Sequence, residues 1–441
     1  MMTGLGLLSA ASFPPVSAWP LSVVSLALLL WFVRGRPSAE ARNLGLIYGL
    51  AYGLGVCHWL FRLFGGLMAV PLIAIFGAYF WLLFYLIGLT REDRPLWRGV
   101  EVALFAVAVE WLRGDVWYLR FPWYTVPHAL AAEPACIAGV RWVGVYGLSF
   151  VIWLIAAWGA FVRPWFWLGF LLLPACALIL PSFDPPDQHA LLIQTEESDG
   201  GFTIIPGVEA KKIDLAVLPE YATYGSPKAA IASTKGPAAL ARRFSSPVVF
   251  GAVEGDYGGP DFRNVAVVLD GEGKQIGTFT KQHPVPLVAD GVRGTERPVF
   301  PVENGTLGVA ICYDFDAPAV ASSLARSGAT VFVDPTYDGI DWGWIQHEHH
   351  EQLLRLRAVE DDRWILRAAS SGRTEAIDPH GRPSRDGVEI GGPGYVVVEY
   401  GHRHGVTLGA WAAFAGPVTG MLSIAILGWR GVGWWRRRRL P

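Results

Sequence analysis

The stretch Leu307-Gly308-Val309-Ala310-Ile311-Cys312-Tyr313-Asp314 decides how the second half of this chain is read. It is an apolar, strand-like run that stops on a thiol, and Asp316 and Pro318 behind it suit the start of a helix. A residue on such a strand-to-helix turn stands above the sheet edge with backbone N–H groups close by, the setting in which a nucleophile gains oxyanion stabilisation. A buried, inert cysteine fits the same residues, so this run alone leaves both readings open.

Working outward, similar short runs recur on both sides. His189–Gln194, Leu215–Leu218, Val248–Val253, Asn264–Leu269, Gln275–Thr280, Thr330–Val333 and Trp364–Ala368 are β-branched or aliphatic. Pro227–Phe244, Ala317–Arg326 and Gln346–Asp361 carry helical periodicity between them, and the alternation predicts a layered α/β domain over residues 187–404.

The flanks differ in kind. Hydrophobic residues make up 52% of the 441 residues and charged ones 17%, with 20 tryptophans, which excludes disorder and an ordinary soluble enzyme. That apolarity concentrates in Ser17–Val33, Leu44–Phe64, Leu67–Leu89, Val100–Leu112, Val143–Val162, Trp165–Leu180 and Val406–Gly428, with Met2–Phe13 as a shorter eighth run. A crossing helix needs roughly 20 apolar residues. The sequence therefore predicts a polytopic α-helical domain at 1–184 of about seven helices, and a last helix with a basic cytoplasmic tail at 405–441. Arginines at 34, 36, 42, 91, 94, 98, 163 and 436–439 all fall on the cytoplasmic side if eight spans are counted, which puts 187–404 outside. Trp434 and Trp435 suit an interfacial anchor beside that tail. A net charge of −2 gives no reason to expect nucleic acid.

Ionisable residues then narrow the chemistry. Glu220 ends the apolar run Leu215–Pro219, where a carboxylate is costly unless paired or used. Lys281 follows Gln275–Thr280 and precedes the stiff His283-Pro284-Val285-Pro286. Each alone is compatible with a solvated strand end. Together with Cys312 they form a coherent nucleophilic site, in which the acid takes the thiol proton and the ammonium stabilises an oxyanion. The remaining cysteines, Cys57, Cys136 and Cys176, lie in or beside apolar runs, and no disulfide framework or zinc spacing can be built. His347, Glu348, His349, His350 and Glu351 miss the metalloprotease spacings and read as a solvated helical face. Glu110 and Arg113, three residues apart, are expected to pair within one helix.

The order Leu218-Pro219-Glu220, Thr280-Lys281-Gln282-His283, Ile311-Cys312-Tyr313-Asp314 resembles the Glu-Lys-Cys signature of the nitrilase superfamily. Set between membrane helices, that domain resembles the apolipoprotein N-acyltransferase family. Phe13-Pro14-Pro15 with Trp19-Pro20, Glu110-Trp111-Leu112-Arg113-Gly114 with Phe121-Pro122-Trp123, Gly144-Val145-Tyr146-Gly147, and Arg357-Ala358-Val359-Glu360 with Arg367-Ala368 extend the likeness over nearly the whole chain.

The resemblance implies a nitrilase-like αββα sandwich plus a polytopic transmembrane domain. It implies catalysis by Glu220, Lys281 and Cys312, support from Tyr313, Asp314 and Asp290, and substrate contacts at Tyr337, Trp342 and His350. Asp290 stands for the assisting acid of the family, one residue displaced and one carbon shorter. The family places a helix in the segment Thr195–Lys212, which here leaves little room for one. The implied reaction moves an acyl chain from a phospholipid through a cysteine thioester to the N-terminal amine of a diacylglyceryl-cysteine lipoprotein. It needs no metal or organic cofactor, and it takes place at the outer face of a bacterial cytoplasmic membrane. A membrane-bound amidase or thioesterase, and a catalytically reduced scaffold, are the alternatives.

Overall fold

The computed structural model describes residues 1–90, 92–197, 208 and 212–439, with the backbone alone for 430–439. Arg91, the side chains of Trp434, Trp435 and Arg436–Arg439, and most of the segment in which a helix was not expected lie outside the described residues. The chain divides into two compact units, residues 1–179 with 412–441, and residues 180–411.

The first unit is helical. Helices span Met2–Ala10, Pro20–Val33, Ser38–Cys57, Leu60–Gly88, Pro95–Trp111, Val140–Phe161 and Ala415–Arg439. Gly45, Gly49 and Gly53 line one face of Ser38–Cys57. A Cβ there would come within 2.6, 2.7 and 2.8 Å of Phe80, Phe76 and Phe76 on the next helix, so small residues at every fourth position let the two helices close on each other. Three helices among the described residues are long and apolar enough to cross a membrane: Leu60–Gly88, Val140–Phe161 and Leu408–Trp429. The run expected as Leu67–Leu89 begins just past Gly65, whose φ of 67° kinks the Leu60–Gly88 helix. The run Trp165–Leu180 is not one α-helix. It is a 3₁₀ turn at Pro164–Leu171, a short α turn at Leu172–Ala175 and a further 3₁₀ turn at Cys176–Ile179, interrupted where Pro174 lacks a donor.

The Glu110–Arg113 pair is also corrected. The chain leaves α geometry for a π turn at Leu112–Val116, and although both side chains line one pocket they bond elsewhere. Glu110 accepts from Ser149 Oγ at 2.5 Å, and Arg113 Nη2 donates to the Trp123 carbonyl at 2.6 Å.

The second unit stacks two mixed sheets. The strands are β1 (Gln188–Gln194), β2 (Leu215–Val217), β3 (Val248–Glu254), β4 (Arg263–Leu269), β5 (Gln275–Thr280), β6 (Val299–Val302), β7 (Gly305–Val309), β8 (Val331–Thr336), β9 (Ile365–Ala369), β10 (Glu375–Ile377) and β11 (Gly394–Tyr400). One sheet runs β11-β1-β2-β3-β4-β5 and the other β10-β9-β8-β7-β6, each parallel at its centre and antiparallel at its edges. β1 and β2 pack on β9, and β3 on β8, while helices Pro227–Ala232 and Pro237–Phe244 cover β3 and helix Pro318–Arg326 covers β7. This is the αββα sandwich. The single helix expected at Pro227–Phe244 divides at Gly236-Pro237, where the proline starts a new helix instead of continuing the old one.

Candidate active site

The carboxyl ends of the central parallel strands are where an α/β sheet exposes reactive side chains, and Glu220 and Cys312 sit at such ends, while Lys281 sits at the carboxyl end of the antiparallel edge strand β5. β2 runs out through Leu218 and Pro219 to Glu220, held against β3 by Leu218 N to Val249 O at 2.8 Å and Gly251 N to Pro219 O at 3.1 Å. Residue 251 is glycine because a Cβ would come within 2.5 Å of the Glu220 Cα. β5 delivers Lys281, and β7 delivers Cys312 through Ala310 and Ile311. Cys312 takes a left-handed backbone, φ 52°, that a side-chain-bearing residue adopts only when its surroundings impose it.

All three are buried, at 2%, 1% and 2% exposure for Glu220, Lys281 and Cys312. Lys281 Nζ lies 2.8 Å from Glu220 Oε1 and 2.7 Å from Asp290 Oδ2. Asn264 Nδ2 donates to both carboxylates, at 2.5 Å to Glu220 Oε1 and 2.8 Å to Asp290 Oδ1. The Tyr221 hydroxyl donates to Asp290 at 2.7 Å, and Val285 N to its other oxygen at 2.6 Å. Tyr337 joins thiol to acid. Its amide donates to Glu220 Oε2 at 2.7 Å, and its carbonyl accepts from Cys312 Sγ at 3.9 Å.

Two carboxylates therefore share one ammonium in a dry site. Burial pushes Glu220 above its ordinary range, with Lys281 opposing and Asp290 adding to the rise. Burial alone would lower Lys281, but Asp290 and Glu220 hold it well above the usual lysine value. Burial, then the Glu220 charge, raises the Cys312 thiol well above its usual value. At rest the thiol is neutral, so attack requires its proton to leave as the bond forms.

A second cluster supports the Cys312 turn. Cys312 N donates to Asp334 Oδ1 at 3.0 Å, so that N–H is not free to serve an oxyanion. Asp334 also binds Arg367 at 3.1 Å; the two face each other in register across β8 and β9. Arg367 reaches Asp338 as well, and Asp338 accepts from His350 Nδ1 at 2.9 Å. Asp314, fully buried, accepts from the amides of Gln282 and His283 at 3.0 and 2.7 Å, tying the lysine segment to the cysteine turn. Tyr313 is buried beside it.

The residues expected to meet substrate divide. Tyr337 and Trp342 are half-buried, with rings 5.7 Å apart. His350 is buried at 1% exposure beneath the Cys312 turn, drawn inward between the carboxylates of Asp338 and Asp316. The helical face expected to be solvated is corrected. In helix Trp344–Asp361, His347, His349, His350 and Glu351 are buried, with His347 against the Gly339 carbonyl at 3.0 Å and Glu351 paired with Arg355 at 2.7 Å. Asn264, Asp334 and Tyr221 were not singled out from sequence, and Arg367 entered only as part of the family likeness, with no role. A fully buried amide opening the apolar strand Asn264–Leu269 was the available signal for the first of them.

Residues 5–158 match the family model of the apolipoprotein N-acyltransferase N-terminal domain, and residues 190–391 match the carbon-nitrogen hydrolase model. The chain is 27% identical to an apolipoprotein N-acyltransferase of Nitrosomonas europaea, covering 86% of each chain. It is 26% identical to one of Pseudomonas aeruginosa, covering 86% of this chain and 85% of that one. Among solved structures, an amidase from Nesterenkonia sp. matches at 19% identity with a TM-score of 0.40, over 50% of this chain and 92% of that one.

Proposed function

We propose a mechanism for this chain, which belongs to the apolipoprotein N-acyltransferase family of the nitrilase superfamily, in which Cys312 carries the acyl group, Glu220 moves the proton and Lys281 steadies the oxyanion. Glu220 accepts the thiol proton as sulfur attacks the ester carbonyl of a phospholipid. The S–C bond forms, the developing oxyanion meets the Lys281 ammonium, and the C–O bond breaks with the proton passing from Glu220 to the departing lysophospholipid. In the second half, the N-terminal amine of a diacylglyceryl-cysteine lipoprotein attacks the thioester. The N–C bond forms, the C–S bond breaks, and Glu220 takes the nitrogen's proton and returns it to sulfur.

Asp290 and Asn264 act as positioning residues that fix Lys281 and Glu220, and Asp314 and Asp334 position the turn under Cys312. No step calls on a metal or organic cofactor. Eight crossings, with the catalytic unit on the outer face of a bacterial cytoplasmic membrane, remain the topology that the arginine clusters favour.

The observation that carries this reading is the link through Tyr337, whose amide holds Glu220 at 2.7 Å while its carbonyl lies 3.9 Å from the thiol. The test is intact-protein mass after incubating the full chain with phospholipid vesicles. An acyl adduct on Cys312 is expected, and a diacylglyceryl-cysteinyl peptide with a free amine should discharge it into an N-acylated peptide. Discharge only as free fatty acid would make the protein a hydrolase.

A further inference from the structure

Against the triad lies a cluster of rings that the acyl chemistry does not use. Tyr221, which donates to Asp290, packs at centroid distances of 5.6 Å from Tyr224, 6.1 Å from Tyr257 and 6.0 Å from Tyr337. Tyr224 and Tyr257 are 46% and 56% exposed, so the cluster runs from a buried catalytic acid to open surface. Tyrosine faces carry negative electrostatic potential and attract organic cations within about 6 Å.

One carboxylate is fixed at this rim. Glu196 Oε1 accepts from the amide of Ile340 at 2.8 Å and from Ser371 Oγ at 2.6 Å. Glu196 is exposed, and among the described residues it pairs with no lysine or arginine. Its charge reaches the rings: burial, then Glu196, pushes the Tyr337 phenol up to about 12, and Tyr224 is raised by burial with Tyr257, Glu220 and Glu196 adding. A held anion with no counter-ion among the described residues, beside electron-rich rings, is a receptor for an alkylammonium group.

We propose that Glu196 and the ring faces of Tyr224, Tyr257 and Tyr337 receive the primary ammonium of the acyl acceptor and hold it beside the thioester on Cys312. The inference rests on the acyl-transfer reading above and adds to it the group that selects a free N-terminus. The Tyr337 backbone carbonyl is 3.9 Å from Cys312 Sγ, so the residue that carries this ring adjoins the nucleophile. Glu196 binds the charged form. The nitrogen gives one proton to water before attacking, so the site governs acceptor binding and not the bond-forming step.

The test separates binding from chemistry. In full-length protein carrying Cys312→Ala, a fluorescent diacylglyceryl-cysteinyl peptide with a free amine should bind roughly tenfold more tightly than its N-acetylated form, the size of one charge-assisted contact. Glu196→Gln keeps an oxygen for Ile340 N and Ser371 Oγ but removes the charge, and should erase that difference. A difference that survives Glu196→Gln overturns the proposal.

In protein retaining Cys312, Glu196→Gln should leave acylation by phosphatidylethanolamine and by phosphatidylglycerol vesicles each within about twofold of wild type while raising the acceptor KM with little change in kcat. A loss confined to phosphatidylethanolamine would assign the site to the donor headgroup and overturn the proposal. If wild-type protein forms no adduct at all, the triad reading fails, and the binding comparison still decides the role of Glu196.

Discussion

On one side of Cys312, Glu220 and Asp290 share the single ammonium of Lys281; on the other, Asp338 is paired with both Arg367 and His350, which also reach Asp334 and Asp316, while Asp334 grips the Cys312 amide. Burial raises the acid in both places, but the outcomes oppose. Glu220 ends above its ordinary range because burial outweighs the pull of Lys281 and the Asp290 charge adds to the rise. Asp338 ends far below its own because His350 and Arg367 outweigh burial. The first cluster is short of positive charge and is ready to take up a proton. The second serves to hold a strained backbone. Within it Asp334 is raised by burial as Glu220 is, and Asp338 alone is held low because two cations reach it.

The comparison breaks most visibly at Lys281. Lys281→Met strands two buried carboxylates, and Cys312 acylation should fall by about 10²–10³-fold, the usual loss for an oxyanion donor. The phospholipid-dependent mass adduct, followed in time, reads it. Arg367→Met should do the reverse: stability falls by roughly 3–5 kcal/mol, as when one member of a buried ion pair is removed, while acylation by the remaining folded protein drops only about tenfold. Denaturation midpoints and adduct rates measured on the same samples would show whether the two effects separate. If acylation instead falls as far as in Lys281→Met, the division between reacting and supporting clusters is wrong.

Gly251→Ala sharpens the comparison from the backbone side. The added Cβ would lie 2.5 Å from the Glu220 Cα, so about 1–3 kcal/mol of stability should be lost to overpacking, with a displaced Glu220 slowing acylation. The smallest effect belongs to His350. Its folded pKa is raised despite burial, because Asp338 favours its charged form. Its contribution is therefore complete below the ordinary histidine value and is lost as pH rises through the raised one. The stability gap between wild type and His350→Gln should narrow with rising pH, and unfolding midpoints across that interval measure it.

How far the sequence reaches follows the same physics. Glu220 and Cys312 were legible because each ends an apolar run, where an ionisable group stands out, and Lys281 because it ends a strand-like run before a stiff proline-rich stretch. Asp334 and Arg367 were not, since their pairing depends on the register of β8 against β9, which only the folded sheet fixes. The buried face of Trp344–Asp361 was misread for a related reason: histidines and glutamates look solvated until their partners Asp338, Arg355 and Arg373 are placed beside them. Of the strands, β6 was masked by Pro301, β10 has only three residues, and β11 pairs with β1 from the far end of the unit. In the helical unit, hydrophobic runs located the helices, but composition alone did not show that Pro174 would break Trp165–Leu180 into 3₁₀ turns.

The central claim is that Glu220 takes the proton from Cys312, and the pH dependence of single-turnover Cys312 acylation tests it most directly. Acylation needs ionised Glu220, whose pKa is raised, so the wild-type rate should climb with pH through a limb lying above the ordinary carboxylate range. It should then level off, because Lys281 keeps its proton far into the alkaline range. Glu220→Gln should lose about 10²–10⁴-fold in rate together with that limb, leaving a residue of activity that follows ionisation of the thiol. A Glu220→Gln protein that acylates Cys312 at the wild-type rate with the same limb would contradict the account.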